Sequence, residues 1–228
     1  MTALYDTAYA KRYRAHDDEF LTSQPCRDFA EWLRRICGMF QSPIDVLDLG
    51  CGTGRYFWAL AGVRNLVGID ASSPMLAEAR RPYNGDRITA ASITLIEGDL
   101  FTHDFGSARF DVIYSIGVLA EHAPFDAGIV RRVAHWLKPG GRFAFTTVHP
   151  DSPSIPATVG RRIGRSLVWV APAPVRDRVR ARLLAGGMYA DEPCVRALLE
   201  PSFDIESLER FQSEAHLHCL CVARKKQP

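Results

Sequence analysis

Residues 46–55 (VLDLGCGTGR) constrain this chain more than any other stretch. A short run rich in Val and Leu ends in glycines at alternating positions, Gly50, Gly52 and Gly54. Backbone free of Cβ atoms can turn sharply at the end of a strand and come within contact distance of a ligand. Such a turn belongs at the C-terminal edge of a parallel sheet, so the chain has to supply further buried strands and the helices that connect them.

It does. Residues 44–49 (IDVLDL), 66–70 (LVGID), 93–97 (ITLIE), 110–115 (FDVIYS) and 142–148 (RFAFTTV) are short apolar runs rich in β-branched residues, as buried strands are. A helical pattern follows the glycines. Ser73-Pro74 opens a second helix with Met75, Leu76 and Ala79 along one face, and residues 126–137 form a third with an apolar stripe that stops at Lys138-Pro-Gly-Gly. Residues 1–40 read as two helices in which Tyr5, Tyr9 and Tyr13 repeat every fourth position, making one aromatic stripe. Residues 150–190 are rich in Pro and other breakers. Residues 203–210 and 216–224 alternate and read as a strand hairpin at the sheet's edge.

The expected fold is therefore α/β: a doubly wound, mostly parallel seven-stranded sheet with helices on both faces. It forms one domain over residues 1–228, divided into an N-terminal helical cap (1–40), a ligand-binding core (41–149), an inserted lid (150–200) and the C-terminal hairpin (201–228).

Composition narrows the function. At 47% hydrophobic and 24% charged the chain is an ordinary globular protein, not a disordered or collagen-like one. A net charge of +2 is too small for a surface devoted to nucleic acid or anionic membrane. Six cysteines show no CxxC pair and no Cys/His ligand spacing, so no metal site is expected; they read as buried free thiols of a reducing compartment. No apolar run approaches the length of a membrane span, and the first residues lack a leader pattern, so a cytoplasmic protein is expected.

The spacing around the glycines separates the ligand classes. A P-loop needs GxxxxGK[ST], and no Lys stands there. A dinucleotide fingerprint needs glycine at position 55, where Arg55 stands instead. Asp48, Gly50, Gly52 and Gly54 resemble the first motif of the class I S-adenosylmethionine (SAM)-dependent methyltransferases, an acidic residue, a spacer and GxGxG. The resemblance continues in order over residues 44–149. Asp70 ends the second strand, where that family's ribose-binding carboxylate stands, and Gly98-Asp99-Leu100 follows the third, where an acidic or amide side chain meets the adenine amino group beside an apolar neighbour. Residues 110–122 (FDVIYSIGVLAEH) resemble the fourth strand and the segment after it. Leu137-Lys-Pro-Gly-Gly-Arg142 resembles the approach to the fifth.

The resemblance implies SAM as cofactor, with Tyr5 and Tyr13 of a helix folded over it, and Asp48, Gly50, Gly52, Gly54, Asp70, Ala71, Met75, Asp99, Leu100 and Ser115 around it. It implies methyl transfer to an O, N or C atom of a small-molecule acceptor, in secondary metabolism by analogy. RNA or protein methylation, and a catalytically silent SAM-binding partner subunit, stay open. The Asn/Asp-Pro-Pro-Tyr tetrapeptide of amide- and adenine-directed relatives is absent after Ser115.

Since the leaving group is already excellent, positioning carries most of the chemistry and a base is optional. His149, just past the fifth strand, and His122, after the fourth, are the candidates for one. Seven arginines in residues 161–182 (Arg161, Arg162, Arg165, Arg176, Arg178, Arg180, Arg182) are a solvated helix face or a lid that attracts an anionic acceptor.

Overall fold

A computed structural model describes residues 6–41, 43–153, 155, 188–213 and 216–227. Two helices come first. In α1 (Thr7–Phe20) the cap is Asp6, whose carboxylate accepts the Tyr9 N–H at 2.7 Å. In α2 (Gln24–Cys37), capped by Ser23, the side chains of Cys26, Phe29, Ala30, Leu33 and Ile36 fall on one stripe at helical spacing and are all buried.

The sheet strands are β1 (Ile44–Leu49), β2 (Val63–Asp70), β3 (Ser92–Glu97), β4 (Phe110–Ser115), β5 (Leu137–Val148), β6 (Phe203–Gln212) and β7 (Leu217–Lys225). The helices between them are α3 (Ser73–Ala79), α4 (Ala127–Trp136) and α5 (Glu192–Leu199). Spatial order is β3-β2-β1-β4-β5-β7-β6. β1 to β5 pair parallel, while β7 runs antiparallel to both β5 and β6, so the sheet is mixed and the expected hairpin forms its edge. The order of strand addition reverses between β1 and β4: the chain builds outward from β1 through β2 to β3, then returns to the other side of β1 with β4 and β5. The carboxyl ends of β1 and β4 open the crevice in which open α/β sheets bind ligands.

The two faces follow the period-2 alternation of each strand. Val46, Tyr114, Ala144 and Val222 pack against α2 and α3, with Phe29, Leu33, Phe57 and Leu76. Leu47, Ile113, Phe143 and Phe145 pack against α4 and α5, with Val133, Trp136 and Val195. Both faces are thus covered by helices. The opposite end of the strands is closed by ions: Lys138 Nζ lies 2.7 Å from Asp111 and 3.0 Å from Asp45, and Arg64 pairs with Asp45. The Arg64 hydrogen bond, with that of Lys138, holds the Asp45 carboxyl well below the usual range against the opposing effect of burial.

Two expectations need correcting. The helical pattern after the glycines does not become an α-helix: residues 50–56 are turns, Phe57–Ala59 is one turn of 3-10 helix, and Leu60 is already extended. Only residues 50–62 join β1 to β2, near the roughly dozen that a parallel crossover needs, and the left-handed turns at Gly50, Gly52 and Gly54 consume that length. The third helix stops before Lys138 as expected, but the strand expected over residues 142–148 begins earlier. α4 ends at Trp136, and β5 begins at Leu137, absorbing residues 138–141 where its register against β4 shifts between Phe110 and Val112.

Tyr5, the arginines of 161–182 and most of the expected lid lie outside the described residues. All six cysteines are free, and five are buried. Among the described residues no helix is long and apolar enough to cross a membrane.

Candidate active site

The glycine turn is built by close approach. Gly50 and Cys51 donate their N–H groups to Ile69 O at 2.9 and 3.0 Å, drawing the turn onto the end of β2. Gly50 has φ 76°, and a Cβ there would stand 2.5 Å from Val118 Cγ2, so only glycine lets the loop after β4 lie on the turn. That loop is itself bent through left-handed residues at Gly117 and Ala120. Gly52 differs. Its Cβ would reach only Met75 Cε, at 3.4 Å, so its backbone forms an open cradle.

Asp70 ties the cradle to the next strand. Its Oδ2 accepts the Gly52 N–H and its Oδ1 the Ser72 N–H, both at 2.9 Å. The helix cap of α3 is Ser72, not Asp70. Burial raises the Asp70 carboxyl and these backbone donors oppose it. Each oxygen keeps a further lone pair for a ligand hydroxyl.

Asp48 lies deeper, 5% exposed, and accepts the Tyr114 hydroxyl at 2.6 Å. Burial pushes its carboxyl up to about 8, opposed by that hydrogen bond and reinforced by the Asp70 charge. A buried carboxyl of this kind gains most from a cationic neighbour. Asp99 is on the exposed rim, with Oδ1 holding the Phe101 N–H at 2.8 Å, and Leu100 is half-buried next to it.

The outer wall comes from α1. Tyr9 and Tyr13 stack with ring centroids 5.9 Å apart. One turn further along the same stripe stands Asp17, fully buried, whose carboxylate accepts Thr53 Oγ1 and Arg55 Nε, both at 2.5 Å. The Arg55 guanidinium also lies 4.8 Å from the Tyr13 and Phe20 rings. Asp17 therefore latches the cap helix to the glycine turn. Sequence reasoning missed this latch: Asp17 continues the aromatic stripe, but no local pattern names its partners Thr53 and Arg55.

One cavity is lined by Tyr13, Asp48, Gly50, Gly52, Asp70, Ala71, Met75, Asp99, Leu100 and His122, with Tyr9 and Arg55 in addition. Gly54 and Ser115 do not line it. Gly54 (φ 73°) makes room for the Phe57 ring, and Ser115 Oγ, fully buried, donates to Leu49 O at 2.9 Å and fastens β4 to β1.

A second chamber adjoins the first across Tyr13, Arg55, Tyr56, Ile116, Gly117 and His122. Beyond that wall it is lined by Phe20, Phe29 and Tyr189, by Glu121, and by His16, His216 and His218. His122 lies on the boundary, with Nε2 3.6 Å from Glu121 Oε1.

His149 is brought to neither chamber. Its ring is fully buried, because the end of β5 is covered by β7 and the start of α5. Nδ1 accepts the Asp151 N–H at 3.0 Å, which leaves the ring proton on Nε2, 3.2 Å from Glu192 Oε2 in a contact too bent for a hydrogen bond. Glu192 in turn pairs with Arg210. Cys219 approaches the same cluster, but its thiol donates to Ala190 O, and burial pushes it up to about 12.

Comparison with known proteins gives this geometry its class. Residues 46–141 match the family model described as a methyltransferase domain. The chain is 34% identical over 115 residues to the malonyl-[acyl-carrier protein] O-methyltransferase of Pectobacterium atrosepticum, covering 49% of this chain and 41% of that protein. It is 32% identical over 176 residues to the O-methyltransferase cnsE of Penicillium expansum, covering 75% and 62%. It thus spans well under two thirds of the first of these relatives and somewhat under two thirds of the second.

Among solved structures, an S-adenosylmethionine-dependent methyltransferase from Mesorhizobium loti is similar with TM-score 0.57 and 26% identity, over 86% of this chain and 98% of that one. The N-methyltransferase NodS of Bradyrhizobium japonicum with S-adenosyl-L-homocysteine shares the fold with TM-score 0.62 and 16% identity, over 92% and 91%. Residues 46–141 thus match a methyltransferase domain, and the chain shares the fold of S-adenosylmethionine-dependent methyltransferases.

Proposed function

We propose that the whole chain is a SAM-dependent methyltransferase with a small-molecule acceptor, taking cofactor in the first chamber and acceptor in the second. The observation that carries this is the shared wall: a ligand on the Gly52–Asp70 cradle and one among the aromatic and histidine side chains would meet at His122, Ile116 and Gly117. The residues present fit SAM. The cradle at Gly52 admits a close ligand, Asp70 offers lone pairs to a diol, and Asp48 is a buried carboxyl that a cation would favour. SAM bound there supplies an electrophilic methyl group on a sulfonium.

The chain's own residues do the rest. α1 and its Asp17 latch exclude water, and Tyr13 and Ile116 limit how the acceptor enters, which fixes approach geometry. His122, with Glu121 beside it, is the group placed to take a proton from the acceptor. Two relatives carry O-methyltransferase names, which supports an oxygen nucleophile as the first to try. A silent partner subunit would have a closed acceptor side, and the second chamber argues against that reading.

Incubation with methyl-labelled SAM and fractionated extract tests the proposal. Label in small molecules supports it; label confined to RNA or protein, or none at all, overturns it.

A further inference from the structure

The loop after β4 carries a charge to the junction of the two chambers. Residues 118–123 close on themselves: the His122 and Ala123 N–H groups both reach Val118 O at 2.9 Å, and the Ala120 N–H reaches Ala123 O at 2.7 Å. At the tip of this turn the Glu121 side chain folds back. Its Oε2 stands 3.8 Å from where a Cβ on Gly117 would be, and its Oε1 lies 3.6 Å from His122 Nε2. Gly117 and His122 both belong to the wall that the chambers share. The carboxylate therefore sits where a methyl group would pass from one chamber to the other. Its charge is felt on the cofactor side as well: burial raises the Tyr9 hydroxyl, and the Glu121 charge raises it further.

This carboxylate is open to a ligand. It lines the second chamber with 20% of its side chain exposed. A carboxylate accepts at about four lone-pair sites, and the His122 contact is longer than an ordinary hydrogen bond, so the Glu121 oxygens keep acceptor capacity. The walls around it suit a cation. The Tyr13 and Phe20 rings already hold one, the Arg55 guanidinium, 4.8 Å from both centroids, and Phe29, Tyr56 and Tyr189 add further aromatic surface. The Arg55 charge is itself met by Asp17, which leaves Glu121 as the carboxylate for a ligand to match.

Resting on the reading of the second chamber as the acceptor site, we propose that it selects acceptors bearing a protonated amine close to the methylated atom, with Glu121 as the specificity-determining residue that receives the amine. The ammonium donates its N–H groups to the Glu121 oxygens and lies against the aromatic wall. Glu121 also offsets the repulsion between that ammonium and the sulfonium charge of SAM. This role is separate from any proton transfer at His122.

The test uses the full chain saturated with S-adenosylhomocysteine and two matched probe pairs at neutral pH, tyramine against 4-(2-hydroxyethyl)phenol and benzylamine against benzyl alcohol, followed by ligand-observed NMR. In each pair the second member has a hydroxyl in place of the ammonium. We expect at least one amine to bind about tenfold or more tightly than its alcohol in the wild type. Glu121→Gln, which keeps the shape without the charge, should erase the preference, and Glu121→Lys should turn it toward the alcohol, so that either variant decides if the other misfolds. Equal binding within both pairs, no binding of any probe, or a preference that survives in Glu121→Gln or Glu121→Lys overturns the inference. Affinity for S-adenosylhomocysteine, measured on the same samples, separates the outcomes. If it binds and label reaches small molecules, only the Glu121 assignment fails; if it does not bind, the function itself fails.

Discussion

Replacing Asp17 by Ala removes the one carboxylate that joins α1 to the glycine turn. Two charge-assisted hydrogen bonds are lost, and such bonds contribute about 1.5–3 kcal/mol each. Breaking a buried pair by deleting one partner costs about 3–5 kcal/mol, because the remaining charge is stranded. Arg55 keeps 16% side-chain exposure and its contacts with the Tyr13 and Phe20 rings, which soften the loss, so the lower figure of about 3 kcal/mol applies. At about 1.4 kcal/mol per factor of ten, that is a weakening of roughly a hundredfold in the docking of α1. Hydrogen exchange of residues 7–20 should accelerate by about that factor, and SAM affinity, measured by calorimetry, should fall with it because Tyr9 and Tyr13 leave the wall. Asp17→Asn keeps one acceptor and should lose less. Exchange in α1 that changes by less than tenfold in Asp17→Ala, or unchanged SAM affinity, would refute the latch.

Asp70→Asn should weaken SAM by tenfold or more, since an amide NH2 then faces either the Gly52 or the Ser72 N–H and one lone-pair pattern is lost; unchanged affinity in calorimetry would mean that Asp70 only ties the loop. Asp48 titrates at about 8 when folded against about 3.9 unfolded, so the native state holds the extra proton between those values and stability falls as pH rises through that window. Urea midpoints from pH 5 to 8 should show this slope, and Asp48→Asn should flatten it; parallel slopes would contradict the assignment. Gly50→Ala should cost about 2 kcal/mol or more, combining left-handed strain with the Val118 clash, whereas Gly52→Ala should cost only the strain, about 1 kcal/mol. Denaturation showing the reverse order would sink the close-approach account.

The parts of the site that were legible in the sequence rest on local signals. Asp48, Gly50, Gly52, Asp70, Asp99 and Leu100 stand at successive strand ends, and a parallel sheet brings successive carboxyl ends to one edge, so the strands alone gather them. The Asp17–Arg55 latch was not legible. It joins residues 38 apart, and Arg55 read only as the residue that broke a dinucleotide spacing. His149 misled for a related reason: position past β5 predicted an edge, but α5 and β7 return over it and bury the ring. The second chamber is likewise assembled from α1, the loop after β4 and the β6–β7 hairpin, whose mutual approach no local pattern encodes.

The central claim is that the Gly52–Asp70 cradle and the buried Asp48 carboxyl form a SAM site. Calorimetric titration of the full chain with SAM, S-adenosylhomocysteine and NAD tests it most directly. The account predicts one molecule of SAM or S-adenosylhomocysteine per chain, about 2.7 kcal/mol of added stability at a hundred times the dissociation constant, and no heat with NAD. Binding of NAD with no response to SAM would contradict it.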